Sequence, residues 1–339
     1  MSFTPDANYG RALLDAVRAQ IPTFGRVFVV KNANDSADYN YQMMSDVFKT
    51  DTEGKVRFFT DLATAYAATQ DNNNDVICLD AHTSHKLSSM LTVSTNRVHF
   101  MGFDGGVRVS NQRALISSTG TGASTDVSMI KVTGTGCTFR NIKFLDSWTV
   151  AQNLSAVLEY GNNTLYKNCT FHAIGSGHLS NANAASLILA GGDTEFVECN
   201  IGGDTLQSTV ASGQTLLIKK GSSAQAATRC LFKECIVRAY TSQTTHAFVR
   251  VAADGDIDRE VLFDDCKFLN FYTSSNGAVM AVAIASASGL VSGTLQFRHP
   301  YLSSGVTKLA TAAVGNAGVY VVGPVGGANT SGIAVQATA

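Results

Sequence analysis

Glu198 and Glu234 hold the same place in two successive copies of one eight-residue phrase, "TEFVECNI" from Thr194 and "CLFKECIV" from Cys230. Glycoside hydrolysis needs two carboxylates, one to donate a proton and one to attack or to activate water, held about 5–9.5 Å apart. The two glutamates are therefore the candidate catalytic couple. The plainer reading is that bend residues are polar because water reaches them. A second grouping, "ADGDIDRE", alternates Asp254, Asp256, Asp258 and Glu260, the oxygen donors that calcium takes. An EF-hand loop counted from Asp254 would need Gly at its sixth place and Glu at its twelfth. Those places hold Arg259 and Asp265, so the stretch reads as a solvated turn, with calcium as the alternative. Tyr240, Phe271, Tyr272 and Trp148 closely follow copies of the phrase and could line a sugar groove or pack at a coil edge. The cysteines form no Cys-x-x-Cys pair and no zinc spacing. No Gly-x-Ser-x-Gly elbow is present. "GFDGG" and "TGTG" lead into no helix and so read as turns, not phosphate loops. No cofactor is implied.

The elements that would position these residues follow from repetition. The phrase recurs as "CTFRNIKF" from Cys137, "TLYKNCTF" from Thr164 and "VLFDDCKF" from Val261. Its sixth place is Ile142, Cys169, Cys199, Cys235 and Cys266, at intervals of 27, 30, 36 and 31 residues. "LQFRHPYL" from Leu295 is a degraded copy with Pro300 in that slot. The third place is aromatic: Phe139, Tyr166, Phe196, Phe232 and Phe263. Side chains alternate along a strand, so places three and six can both face inward only if the chain bends between them. A separate apolar run precedes each copy, such as "SLILA" at 186 and "AFVRV" at 247. Each unit thus reads as strand, turn, strand, bend and short strand. A single unit cannot bury its apolar face, whereas stacked units complete one another's core. Cysteine suits the inner file as a small buried hydrophobe, in preference to a disulfide chain or a metal file.

The expected fold is mainly β, a parallel β-solenoid with three strands per coil. The corner phrases, the bend residues Asn141 and Asn168, and "VHFMGFDGG" from Val98 resemble the right-handed three-stranded parallel β-helix of the pectate-lyase-like superfamily. The resemblance spans residues 76–302. It implies a fold and no single function, because such β-helices serve as lyases, hydrolases, phage tailspikes, adhesins and inert structural proteins. The polygalacturonase motifs do not carry over: Asp264-Asp265 stands alone, and His178 precedes Leu179 where that family has Gly. Residues 1–75 read as an α/β cap or anchoring segment. There, Leu13, Leu14, Val17 and Ile21 have helical spacing, Arg26 to Val30 form a strand, and Thr60 caps a short helix ended by Asn72 to Asn74. Residues 303–339 read as a strand-forming arm. Its "GVYVV" and "GIAVQ" add to a sheet edge of this chain or of a neighbouring subunit.

Composition narrows the partners. Of 339 residues, 45% are hydrophobic, enough for a large core, and only 15% are charged. A net charge of −1 with no basic block argues against nucleic acid. No apolar stretch is long enough for a membrane span and no secretory signal opens the chain, so reduced thiols are expected. The passage from "GRVFVVKN" to "DVICLD" resembles β-helical structural proteins encoded by tailed bacteriophages. That resemblance implies a virion protein, assembled in the host cytoplasm and carried as a capsid decoration (cement) or minor capsid component. It implies no enzymatic activity. Its expected partners are copies of itself, as a homotrimer by analogy, and other virion proteins such as the major capsid protein. The alternative is a tailspike or fibre that binds or cleaves host surface polysaccharide.

Overall fold

Aromatic rings at the third place of the phrase stack in one column through the protein. Phe100, Phe139, Tyr166, Phe196, Phe232, Phe263 and Phe297 follow one another at 4.4–4.9 Å, with ring planes within 7° of parallel. Each such pair adds about 0.5–1.5 kcal/mol beyond the area it buries. The protein is a computed structural model that describes residues 15–21, 25–32, 45, 48, 56–82, 84–103, 114–221, 226–253, 255–272, 280–286, 293–302, 306–308 and 319–322. Among these it is a parallel β-helix whose three main sheets hold 11, 8 and 7 strands.

The first sheet carries the aromatic column on successive strands Thr138–Arg140, Leu165–Lys167, Glu195–Val197, Cys230–Lys233, Glu260–Asp264 and Thr294–Arg298. Phe139, Tyr166, Phe196, Phe232, Phe263 and Phe297 are paired in register across it. After a bend the chain enters the second sheet, where Phe144, Phe171, Ile201, Val237 and Phe268 occupy one inward file. The apolar runs ahead of each phrase form the third sheet, with Val157, Leu187, Leu216, Val249 and Ile284 in register. The bend follows from the odd spacing: places three and six are both fully buried, and the two residues that turn the corner between them are polar in every copy but for Val197.

The thiols of the sixth place point inward, each toward the third-place residue of the preceding rung. Cys169, Cys199, Cys235 and Cys266 donate to the carbonyls of Phe139, Tyr166, Phe196 and Phe232 at 3.2–3.4 Å. All seven cysteines are free and buried, so the file is one of reduced thiols and not a disulfide chain.

At the N-terminal end, strand Val27–Val30 pairs in parallel with Val76–Leu79 and carries Phe58–Phe59 on its other side. Residues 15–20 are helical, with Val17 buried; Leu13 and Leu14 lie outside the described residues. The helix Leu62–Ala67 is capped by Asp61, whose carboxylate accepts from the Thr64 N–H at 2.8 Å. This corrects the expectation of Thr60: the carboxylate one residue on reaches the free N–H better placed for a cap. Tyr66 from this helix lies over Phe100, and its hydroxyl accepts from the N–H groups of Ser94 and Thr95, so it closes the top of the aromatic column. At the other end, strand Val319–Val322 pairs in parallel with Thr294–Arg298, adding to the chain's own sheet. "GIAVQ" lies outside the described residues. No described helix is long and apolar enough to cross a membrane.

Candidate functional site

The structure puts Glu198 and Glu234 where the phrase predicts, in one bend slot on successive rungs, both half-buried. That slot has a backbone task. Asn141, Asn168, Glu198, Glu234, Asp265 and His299 all take positive φ, between 48° and 57°. The N–H of each of the first five donates to a carbonyl of the next rung, as Glu198 to Lys233 at 2.9 Å and Glu234 to Asp264 at 2.8 Å. The left-handed conformation is favourable for Gly and tolerable for Asn, and strained for Glu. The two glutamates thus help to turn the corner of the rod.

Among the described residues, Asp256, Asp258 and Glu260 do not converge. Asp254 lies outside the described residues. Asp256 is buried, and its carboxylate accepts from the main-chain N–H groups of Lys220 at 2.7 Å and Ala253 at 2.5 Å, tying two loops together. Asp258 lies 3.8 Å from Arg259, and Glu260 faces Gln296 of the next rung. Three other groups do come together: Asp264, Asp265 and His299 have ligand atoms within 4.8 Å of one another. Both Asp264 oxygens are engaged by Arg298, and Asp265 lies 3.3 Å from His299.

A more enclosed grouping lies on the flank, where loops leave the second sheet for the third. A cavity of about 50 Å³ is lined by His172, His178, His246, Arg238 and Tyr240, among others. Its origin is a register effect. Extended by one place, the phrase ends in Leu145, His172, Gly202, Arg238 and Leu269; Leu145 pairs with His172 and Arg238 with Leu269, and Gly202 holds the same place in the copy between. Gly202 takes φ +88° and packs its α-carbon against the Arg238 main chain and Thr215. A Cβ there would lie 2.1 Å from the Arg238 carbonyl, so only glycine fits. His178 comes from the short helix Ser176–Ser180, and His246 from the turn before strand Ala247–Val251.

Polar contacts fix the walls. Asp146, fully buried, accepts from Asn153 at 2.5 Å and from the Trp148 N–H at 3.1 Å, and lies 3.1 Å from His178 Nε2. Gln214 donates to the carbonyls of Ala182 and Ala184 and accepts from Arg250 Nε at 2.9 Å. Burial, helped by the nearby Lys143 charge, pushes His172 down to about 4. Burial, helped by Arg250, pushes His246 down to about 3. Both rings are therefore neutral near pH 7. Outside the mouth, Arg238 reaches Asp204 at 3.4 Å and lies 5.9 Å from the ring of the exposed Phe271. Tyr240 and Tyr272 face each other with centroids 6.0 Å apart. Of the four aromatics expected near a groove, three gather here. Trp148 does not: it is fully buried, and its indole N–H donates to the Thr119 carbonyl at 2.9 Å.

No family model matches the chain. No curated protein matches it either. Solved structures do. A pectin methylesterase from Aspergillus niger superimposes with a TM-score of 0.51 at 12% identity, over 92% of this chain and 90% of that one. A pectin methylesterase variant in complex with a hexasaccharide gives 0.51 at 14% identity, over 85% and 82%. A tailspike protein of an Acinetobacter baumannii bacteriophage, a capsular polysaccharide depolymerase, gives 0.42 at 11% identity, over 88% of this chain and 56% of that one. At such identities the likeness concerns the fold: this chain shares the parallel β-helix with pectin-processing enzymes.

Sequence reasoning missed His172, His178, His246 and Arg238 as a group. Two of them were within reach, since the ninth place of the phrase sets Gly between His and Arg. The other two come from loops that obey no repeat.

Proposed function

We propose that this chain is a structural protein of a tailed-bacteriophage particle, carried on the capsid surface as a decoration or minor component. It acts as a stiff rod that buries surface against the shell and against copies of itself. The observation that carries this reading is the task of the stacked acids. Glu198 and Glu234 occupy left-handed bends whose N–H groups bond to the next rung. Other acids are likewise engaged within the scaffold, Asp193 by Arg229 and Asp264 by Arg298 across rungs, and Asp256 by two loops. The low charge and the phage-like N-terminal passage support the same reading. Quantitative mass spectrometry of purified virions tests it. Many copies per particle, released with the shell, are expected; absence from particles, or a few copies co-purifying with tails, would overturn it.

A second reading, a tailspike or fibre that engages host surface polysaccharide, is favoured by the aromatic and polar grouping of Tyr240, Tyr272, Phe271 and Arg238 on one flank. Aromatic faces and planar donors suit sugar rings. Incubation with capsular or pectic polysaccharide, followed for both binding and cleavage, separates the two. The structural reading expects no new reducing ends and no unsaturated products.

A further inference from the structure

The flank cavity collects polar atoms that the fold itself leaves unsatisfied. Arg238 Nε, His178 Nδ1, and both Nδ1 and Nε2 of His246 are buried with no hydrogen-bond partner among the described residues. Arg238, His178 and His246 are only 4–6% exposed. Buried donors and acceptors are nearly always paired, because leaving one unpaired costs as much as a lost hydrogen bond or more. Several in one small space call for a common partner.

Glycines let the histidine rings pack close against the loop backbone that walls the cavity. A Cβ on Gly203 would lie 1.8 Å from His172 Nε2, and one on Gly213 would lie 2.8 Å from His246 Nδ1. Gln214 takes no part, since its amide is already spent on Ala182, Ala184 and Arg250. The charges nearby favour a negative guest. Lys143 and Arg238 act on His172, and Arg250 acts on His246. Of the two carboxylates close by, Asp204 is at the exposed mouth and Asp146 is screened behind His178, Asn153 and the Trp148 N–H. About 50 Å³ admits roughly four waters or one compact group of four or five heavy atoms.

We infer that this cavity binds a small oxyanion, a carboxylate or a phosphate group, held by Arg238 Nε and the imidazole of His246. The guanidinium supplies the charge, and the neutral His246 imidazole supplies an N–H donor that needs no further protonation, while His178, whose Nε2 faces the Asp146 carboxylate, lines the wall. The site goes beyond a rod function and does not depend on where the chain sits on a particle.

Titration of the full chain with inorganic phosphate, acetate and glucuronate tests this, followed by the histidine side-chain NMR signals and by calorimetry. At least one probe is expected to bind at one site in the millimolar range or tighter, shifting the signals of His172, His178 and His246 and leaving His85 and His299 in place. Phosphate alone assigns the site to a tetrahedral anion; acetate and glucuronate assign it to a carboxylate. Arg238→Met should weaken binding about tenfold or more, the loss of a charged hydrogen bond. Gly213→Ala should do the same by crowding His246 while keeping every charge, and it serves in place of Arg238→Met if that variant does not fold. The inference fails if no probe shifts the three signals at millimolar concentration. It fails equally if binding is undiminished in Gly213→Ala or Arg238→Met that folds normally.

Discussion

The side-chain amide of Asn168 donates to that of Asn141 on the preceding rung at 2.9 Å, and both residues hold the left-handed conformation. The same slot on the next two rungs holds Glu198 and Glu234, which turn the same corner at φ +56° and +54°. Asparagine tolerates this region better than glutamate, so the two glutamates are local compromises where the column departs from asparagine. Replacing Glu198 or Glu234 with Asn should raise stability by about 0.5–1 kcal/mol each, and by more together if the amides continue the stack. Urea denaturation checks this. A loss of stability would mean that the carboxylates themselves hold the bend.

That column also shows what the sequence could reveal and what it could not. The five phrases, the cysteine file and the bends were legible because a solenoid repeats one corner, and the alternation of strands turns an odd spacing into a bend. The flank cavity was not legible as a whole. Its histidines come from one strand position, one short helix and one turn, brought together by loops of unequal length. Trp148 shows the same limit. It follows a corner as the surface aromatics do, yet the close approach of Gly122 and the Thr119 carbonyl hold it inside.

The buried thiols should be inert in the native protein. Burial raises Cys137 and Cys230 to about 11 and pushes Cys199, Cys235 and Cys266 well above the ordinary thiol range. Thiolate is the reactive form, so a disulfide reagent at pH 8 should label none of the seven cysteines rapidly in native protein and all of them in denaturant. Fast labelling of any file member without denaturant would contradict the closed column.

Glu159 gives the rod a pH dependence. It is fully buried, accepts from the Tyr166 hydroxyl at 2.6 Å and from the Gly161 N–H at 2.5 Å, and burial raises it to about 8. The folded state therefore holds its proton where the unfolded chain has released it. This contribution is complete below the unfolded value of about 4.5, declines as pH rises, and is gone above about 8. The slope in that window is at most about 1.4 kcal/mol per pH unit. Glu159→Gln should flatten it and be the more stable form at pH 8. Denaturation curves across pH 4 to 9 for both proteins decide the matter, and parallel curves would place the effect elsewhere.

The account rests on rungs winding in register, and the spacing of two outward lysines tests that most directly. Lys143 and Lys267 stand in one file of the second sheet, linked through Thr170, Asn200 and Ile236. Four strand spacings separate their backbones by about 19 Å. Spin labels placed at these two positions, with the native thiols buried and silent, should give one narrow distance distribution near that value, widened only by the label linkers. A broad distribution, or a centre far beyond it, would mean that residues about thirty apart in sequence are not vertical neighbours, and the rod would have to be abandoned.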